Sequence, residues 1–415
     1  MKYFFPATTL GGLFVFISFG FAGEPYLWNQ WRGPNRDGFY LGNSFPNNLA
    51  KESLQLSWKA NLGPSYSGPI VSDQFVFTTE TKNKESEVVH AFDRKTGKEI
   101  WATEWKGAMS VPFFAGSNGS WIRATPAFDG ECLYVAGIKD VLVCLNAMDG
   151  KEKWRIDFVE QFKTPVPSFG FVSSPLIDGD GIYVQAGASV FKLNKKNGAV
   201  IWRSFKDSGG MNGSAFASPL MTTLCGQKQL LIQSRGKLAG LNPENGDVLW
   251  SKVVPNFRGM NIFTPVVVGD TIFASTYQNK SWLYKISKND SGFAVNEVWE
   301  NKLQGYMSTP VVINGFAYMH LQNQRFTCVD LSNGEIKWTS PKSFGKYWSL
   351  IAYKNRILAL DQKGILYLIE ADPKEFKVLE TREITENETW AHLAISGDQI
   401  FIRDLKTLSV FQWKN

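Results

Sequence analysis

One short segment recurs along this chain and restricts its fold more than any other feature. It reads Asp93-RKTG-KEI-Trp101, Asn146-AMDG-KEK-Trp154, Asn194-KKNG-AVI-Trp202, Asn242-PENG-DVL-Trp250 and Asp330-LSNG-EIK-Trp338. Each copy is Asp or Asn, three residues, Gly, three residues, Trp. A looser copy ends at Trp299, a worn one lies near Asp372 to Leu379, and Trp58 ends an isolated strand with no such turn before it. Apolar runs such as VLVCLN and SVFKLN precede the Asp or Asn and read as strands. The Asp or Asn side chain can bond the backbone two residues on, and Gly accepts positive φ, so the middle is a tight turn. The Trp that ends the next strand is a large plate suited to packing between neighbouring sheets.

A second landmark opens each unit: a small or hydroxyl residue, then Pro, then a β-branched or apolar run. The prolines are Pro69, Pro126, Pro175, Pro219, Pro265 and Pro310, and Leu350 and Leu393 take the Pro place in the last two units. Eight starts, 40 to 57 residues apart, match the period of propeller blades. The expected fold is therefore all-β, an eight-bladed β-propeller with four antiparallel strands per blade. The last unit holds only three strands before the chain stops. The orphan strand LQLSWKANL around Trp58 is predicted to supply its fourth, beside Val410, so that no sheet edge stays open.

The first residues carry Lys2, an apolar stretch from Leu10 to Phe21, and small residues at Gly20 and Ala22. This reads as a secretory signal cut after Ala22, with too short an apolar run to span a bilayer. The expected organisation is a signal peptide over 1–22, an N-terminal strap over 23–53 anchored by Trp28, Trp31, Phe39 and Phe45, and the propeller over 54–415. The expected location is periplasmic or secreted. No Cys lies near the cut for a lipid anchor.

Composition narrows the chemistry. A net charge of +6 with Lys and Arg mixed among Asp and Glu gives no basic face for nucleic acid. The 3 His are scattered without metal-ligand spacing. Cys132, Cys144, Cys225 and Cys328 form no CxxC; Cys132 and Cys144 flank one predicted hairpin and could be bridged or be buried free thiols. No nucleophile elbow or phosphate loop is present.

The turn-and-Trp repeat resembles the pyrroloquinoline-quinone (PQQ) enzyme repeat, shared by quinoprotein alcohol dehydrogenases and by the outer-membrane assembly factor BamB. The opening Trp28-NQ-Trp31-Arg32-Gly33-Pro34-NRDG and the segments Arg123-ATPAFDG and Phe344-GKYWSLI look like a secreted PQQ-like propeller family. In the enzymes the resemblance implies an adjacent Cys pair, a calcium-binding set and an Asp base. No two cysteines are adjacent here, so no PQQ or calcium cofactor and no catalytic residue is expected. The resemblance implies a non-catalytic, BamB-like scaffold, monomeric, binding an envelope protein. A PQQ-dependent oxidoreductase and a small-molecule or glycan sensor are the alternatives.

A binding site is expected where the inner strands enter the ring. Three residues before each Pro place stand Tyr66, Arg123, Val172 and Phe216, then Ile262, Met307, Tyr347 and Trp390. Just before it stand Gly68, Thr125, Ser174, Ser218, Thr264, Thr309, Ser349 and His392. Strand alternation puts both sets on one side. This gives an aromatic collar and a hydroxyl collar, either lining a channel mouth or packing between blades. Trp348 joins the mouth set as a stacking surface for sugar. The long connections after Trp101, Trp154 and Trp202 carry Phe113, Phe114, Trp121 and Phe169, a candidate partner patch.

Overall fold

The computed structural model describes residues 27–206, 213 and 215–414. The expected signal segment lies outside them. The described strands form eight sheets of four antiparallel strands, each running from the channel outward in chain order. The first blade is typical: Ile70–Val71 at the channel, then Phe75–Lys82, Ser86–Asp93 and Glu99–Lys106. The eighth combines Ala394–Ser396, Gln399–Arg403 and Thr407–Trp413 with Leu54–Asn61 on its outside. Trp58 pairs with Val410, as the orphan-strand argument requires.

The repeat has a physical meaning that only three dimensions reveal. Each Trp reaches the turn of the next blade, not its own. Trp58 stacks on Gly97, where an added Cβ would fall 2.6 Å from the indole; Trp101 meets Gly150 and Trp154 meets Gly198 in the same way. The indole N–H donates to the carbonyl of the residue after the turn's Asp or Asn: Trp58 to Arg94, Trp101 to Ala147, Trp202 to Pro243 and Trp299 to Leu331. Trp338 does the same with Asp372 of the worn copy. Trp250 differs because the fifth blade runs on as the long hairpin Ser281–Asn289 and Gly292–Asn301 instead of the tight turn. Its indole donates to Gln229 Oε1 within its own blade. Glycine and tryptophan recur together because they are partners across a blade junction, and Trp58 on Gly97 shuts the ring.

The cysteines are free thiols. Cys132 lies opposite Asn146 and Cys144 opposite Tyr134, so the hairpin register does not pair them.

One end of the channel carries the tight turns and the other the long connections. Residues 27–40 enter from the turn end. Trp28 bridges Val71 of the first blade, and Phe39 bridges Ala352 of the seventh. Arg36 donates to the carbonyls of Ser174 and Pro175, 3.0 and 2.7 Å away, and Arg32 to that of Pro310, 2.6 Å away. Tyr40 donates to the Gly397 carbonyl at 2.5 Å. This tight course needs glycine at Gly33 and Gly38, both at positive φ and packed against Trp28 and Arg32. The segment therefore closes the turn end of the channel.

Candidate functional site

Above the plug, at the loop end, the channel opens into a cavity of about 340 Å³, within the range of small-molecule sites of ~300–1,000 Å³. All eight residues of the expected aromatic and apolar collar line it. Tyr66 and Tyr347 flank Trp390, with ring centroids 5.2 and 6.2 Å away. Trp31 of the plug is the floor, its indole lying over the Arg32 and Arg36 guanidiniums at 5.6 and 5.4 Å.

The hydroxyl collar does two things at once. Its oxygens accept the backbone N–H of the matching residue one blade earlier: Gly68 donates to Thr125, Thr125 to Ser174, Ser174 to Ser218, and Ser218 to Thr264. This girdle stitches the first five blades together, and Thr125, Ser174, Ser218, Thr264 and Thr309 also line the cavity. His392 fills the eighth place. Its Nδ1–H donates to the Leu393 carbonyl at 2.8 Å, which leaves Nε2 as an acceptor. Burial, with Arg32 nearby, pushes the imidazole pKa down to about 3, so it stays neutral.

Among the described residues, Arg123 is the one in the cavity lining with a permanent charge. Its Nε and one Nη2 hydrogen go to the carbonyls of Trp121 and Gly119, and its guanidinium lies 5.7 Å over the Tyr66 ring. Desolvation lowers its pKa to about 10, so it remains a cation at neutral pH. Among the described residues no carboxylate pairs with it. Burial raises the Tyr66 hydroxyl to about 12. Glu388 lies near the rim, with its oxygens already accepting from Trp390 Nε1 and Gln362 Nε2.

Two sequence expectations need correction. Trp348 does not reach the mouth. It directly follows Tyr347, so strand alternation turns it the other way, into the core beside His320 and Phe326, with its indole on Asp361. Phe169 is not an exposed loop residue but is buried against Phe216 in the cavity wall. Trp121 is half-buried, its indole nitrogen and the Tyr66 hydroxyl both lying against Gly119. Phe113 is 96% exposed and Phe114 58% exposed, packed edge to face on a short helical turn over Phe113–Asn118. Phe114 also borders the cavity. The sequence reading missed Tyr277 and Tyr306, stacked 4.9 Å apart in the wall. Tyr306 directly precedes the ring residue Met307, and that adjacency was the available signal. Tyr277 sits in a hairpin loop that carries no repeat landmark.

A family model described as outer membrane protein assembly factor BamB matches residues 46–103 and 84–340. The chain belongs to this family. BamB of Yersinia pestis is 22% identical over 335 residues, spanning 77% of this chain and 79% of that one. BamB of Escherichia coli K12 is 26% identical over 281 residues, 64% and 68% of the two chains. The crystal structure of BamB from Moraxella catarrhalis superposes with a TM-score of 0.63 at 15% identity, over 87% of this chain and 98% of that one. The computationally designed Ika8 protein gives 0.58 at 8% identity, over 85% and 98%. At such identities the structural likeness speaks for the eight-bladed fold. The BamB match ends at residue 340, so the plug before residue 46 and the last two blades lie outside it.

The quinoprotein alternative can be tested against the residues present. Calcium takes carboxylate, carboxamide and carbonyl oxygens. The described cavity lining holds no Asp, Glu, Asn or Gln, and among the described residues no three His, Cys, Asp or Glu converge on a point. A calcium-held quinone does not fit this lining. No helix of the described residues is long and apolar enough to cross a membrane.

Proposed function

We propose that the protein is a non-catalytic scaffold of the BamB kind that binds envelope proteins through the loop end of its propeller. Family membership across residues 46–340 carries this reading, and the relatives are named for assembly rather than for a reaction. The exposed Phe113 and Phe114 supply the apolar contact that solvent-facing loops otherwise avoid. In this reading residues 1–22 direct export and are removed after Ala22, residues 23–53 form the strap, and a monomeric propeller works outside the cytoplasm. Photo-crosslinking tests it. A crosslinker at Phe113 captures specific envelope proteins, one at Lys196 on the turn end captures none of them, and the triple change of Phe113, Phe114 and Trp121 to Ser lowers capture from neighbouring loop positions. Equal capture from both ends would sink the assignment of the binding face.

A second reading rests on the cavity itself. It serves as a small-molecule site, with Tyr66, Arg123, Phe216, Tyr347, Trp390 and His392 as its binding residues. Its volume, its aromatic wall and its unpaired cation support this.

A further inference from the structure

The chemistry of the cavity narrows what it would hold, granted the reading of it as a ligand site. Its charge is one-sided, since the described lining holds the Arg123 guanidinium and no carboxylate. The oxygens of Thr125, Ser174, Ser218 and Thr264 already accept backbone N–H groups. Among the described residues, none of these four hydroxyl hydrogens is given to a protein acceptor. Arg123 adds the N–H groups that Trp121 and Gly119 do not use. Arg32 and Arg36 lie directly beneath the Trp31 floor, their Nη atoms donating to backbone carbonyls, and they add positive potential to the cavity. The acceptors opposed to this are neutral, His392 Nε2 and the hydroxyl oxygens of the wall, and the described lining holds no carboxylate. The walls between are flat and aromatic.

We propose that the cavity binds a small planar aromatic carboxylate, its ring stacked in the wall of Tyr66, Trp390 and Tyr347 and its carboxylate on Arg123 and the hydroxyl girdle. A half-buried guanidinium with donors to spare favours an anion, since a charge-assisted pair is about twice as strong as a neutral hydrogen bond. A cation of the same shape is disfavoured, because the described lining offers no carboxylate to receive it. An uncharged aromatic keeps the stacking but leaves Arg123 unsatisfied.

Calorimetry on the full secreted chain tests this with two probes of one shape, 2-naphthoate and the neutral 2-naphthamide. The naphthoate is expected to bind about tenfold more tightly than the amide. Arg123→Gln brings the two to within about twofold by weakening naphthoate alone. The amide's unchanged affinity then reports that the cavity is intact. Ile262→Trp, which fills the cavity, abolishes binding of both. Equal affinities for the two probes in the unaltered protein, or no heat from either at millimolar concentration, would overturn the proposal. Phe113→Ser is expected to leave the naphthoate affinity unchanged, so failure here and failure of the scaffold reading are separately visible.

Discussion

The two ends of the channel use the same residue type in opposite ways. At the turn end, Arg32 and Arg36 are sunk in the plug and donate through their Nη atoms to backbone carbonyls of the sixth and third blades, while Nε of each is buried without a partner. At the loop end, Arg123 gives part of its guanidinium to its own loop and keeps the rest for the cavity. The first pair acts as braces; Arg123 is a hook. Near the loop end the bracing is shared between Arg403, which is buried and donates to the Gly63 and Thr79 carbonyls, and two carboxylates. Glu87 accepts from the Ile138 amide and the Trp105 indole, and Asp140 from the Gly187 amide, tying the first three blades together. The lesson is that burial alone does not separate a structural charge from a functional one. What separates them is whether the donors or acceptors are already taken.

The sharpest way to break this contrast is to remove one arginine from each end. Arg36→Ala should cost roughly 2–4 kcal/mol in urea unfolding, because it strips charge-assisted bonds from buried carbonyls. Arg123→Ala should cost less than about 1 kcal/mol, since water in the cavity can replace it. Equal losses would erase the distinction. Next in size is a pH effect confined to the loop end. Burial raises the carboxyls of Glu87 and Asp140 to about 7 each, above their unfolded values near ~4. The folded state then holds more protons than the unfolded chain across that window. The stabilisation is complete below it and fades as pH climbs through about 7. Glu87→Gln with Asp140→Asn should flatten a melting series from pH 5 to 8, whereas the arginine braces give no slope there.

Smaller changes refine the picture. Tyr40→Phe removes the bond to Gly397 and should cost about 1 kcal/mol, with faster amide exchange at the turn end and none at the loops. Phe113→Ser should move stability by less than about 0.5 kcal/mol, since its side chain is in water already. A larger loss on denaturation would mean that the loop packs as part of the core.

The sequence displays the ring and conceals the plug for a definable reason. Repetition makes the blade starts, the collar positions and the pairing of Trp58 with Val410 readable, because a regular backbone places equivalent residues alike. Trp348 shows the limit of that reading, since a one-residue step along a strand carries a side chain from channel to core. Arg32 and Arg36 occur once each, outside the repeat. Their partners are backbone carbonyls more than a hundred residues away, which no residue type announces. Tyr277 stayed hidden because the loop between Thr271–Ser275 and Ser281–Asn289 carries no repeat landmark. The doubled use of the hydroxyl collar was unreadable too, since a serine that stitches and a serine that binds look identical in one dimension.

The latch between Leu54–Asn61 and Thr407–Trp413 fixes an order of events during synthesis. The circle cannot shut until Thr407–Trp413 has left the ribosome. By then the stretch bearing Trp31, Arg32 and Arg36 must already be in place or free to thread inside. Late mutations near the carboxyl terminus should therefore impair assembly of the earliest part of the chain, an inheritance that runs backwards along the polypeptide.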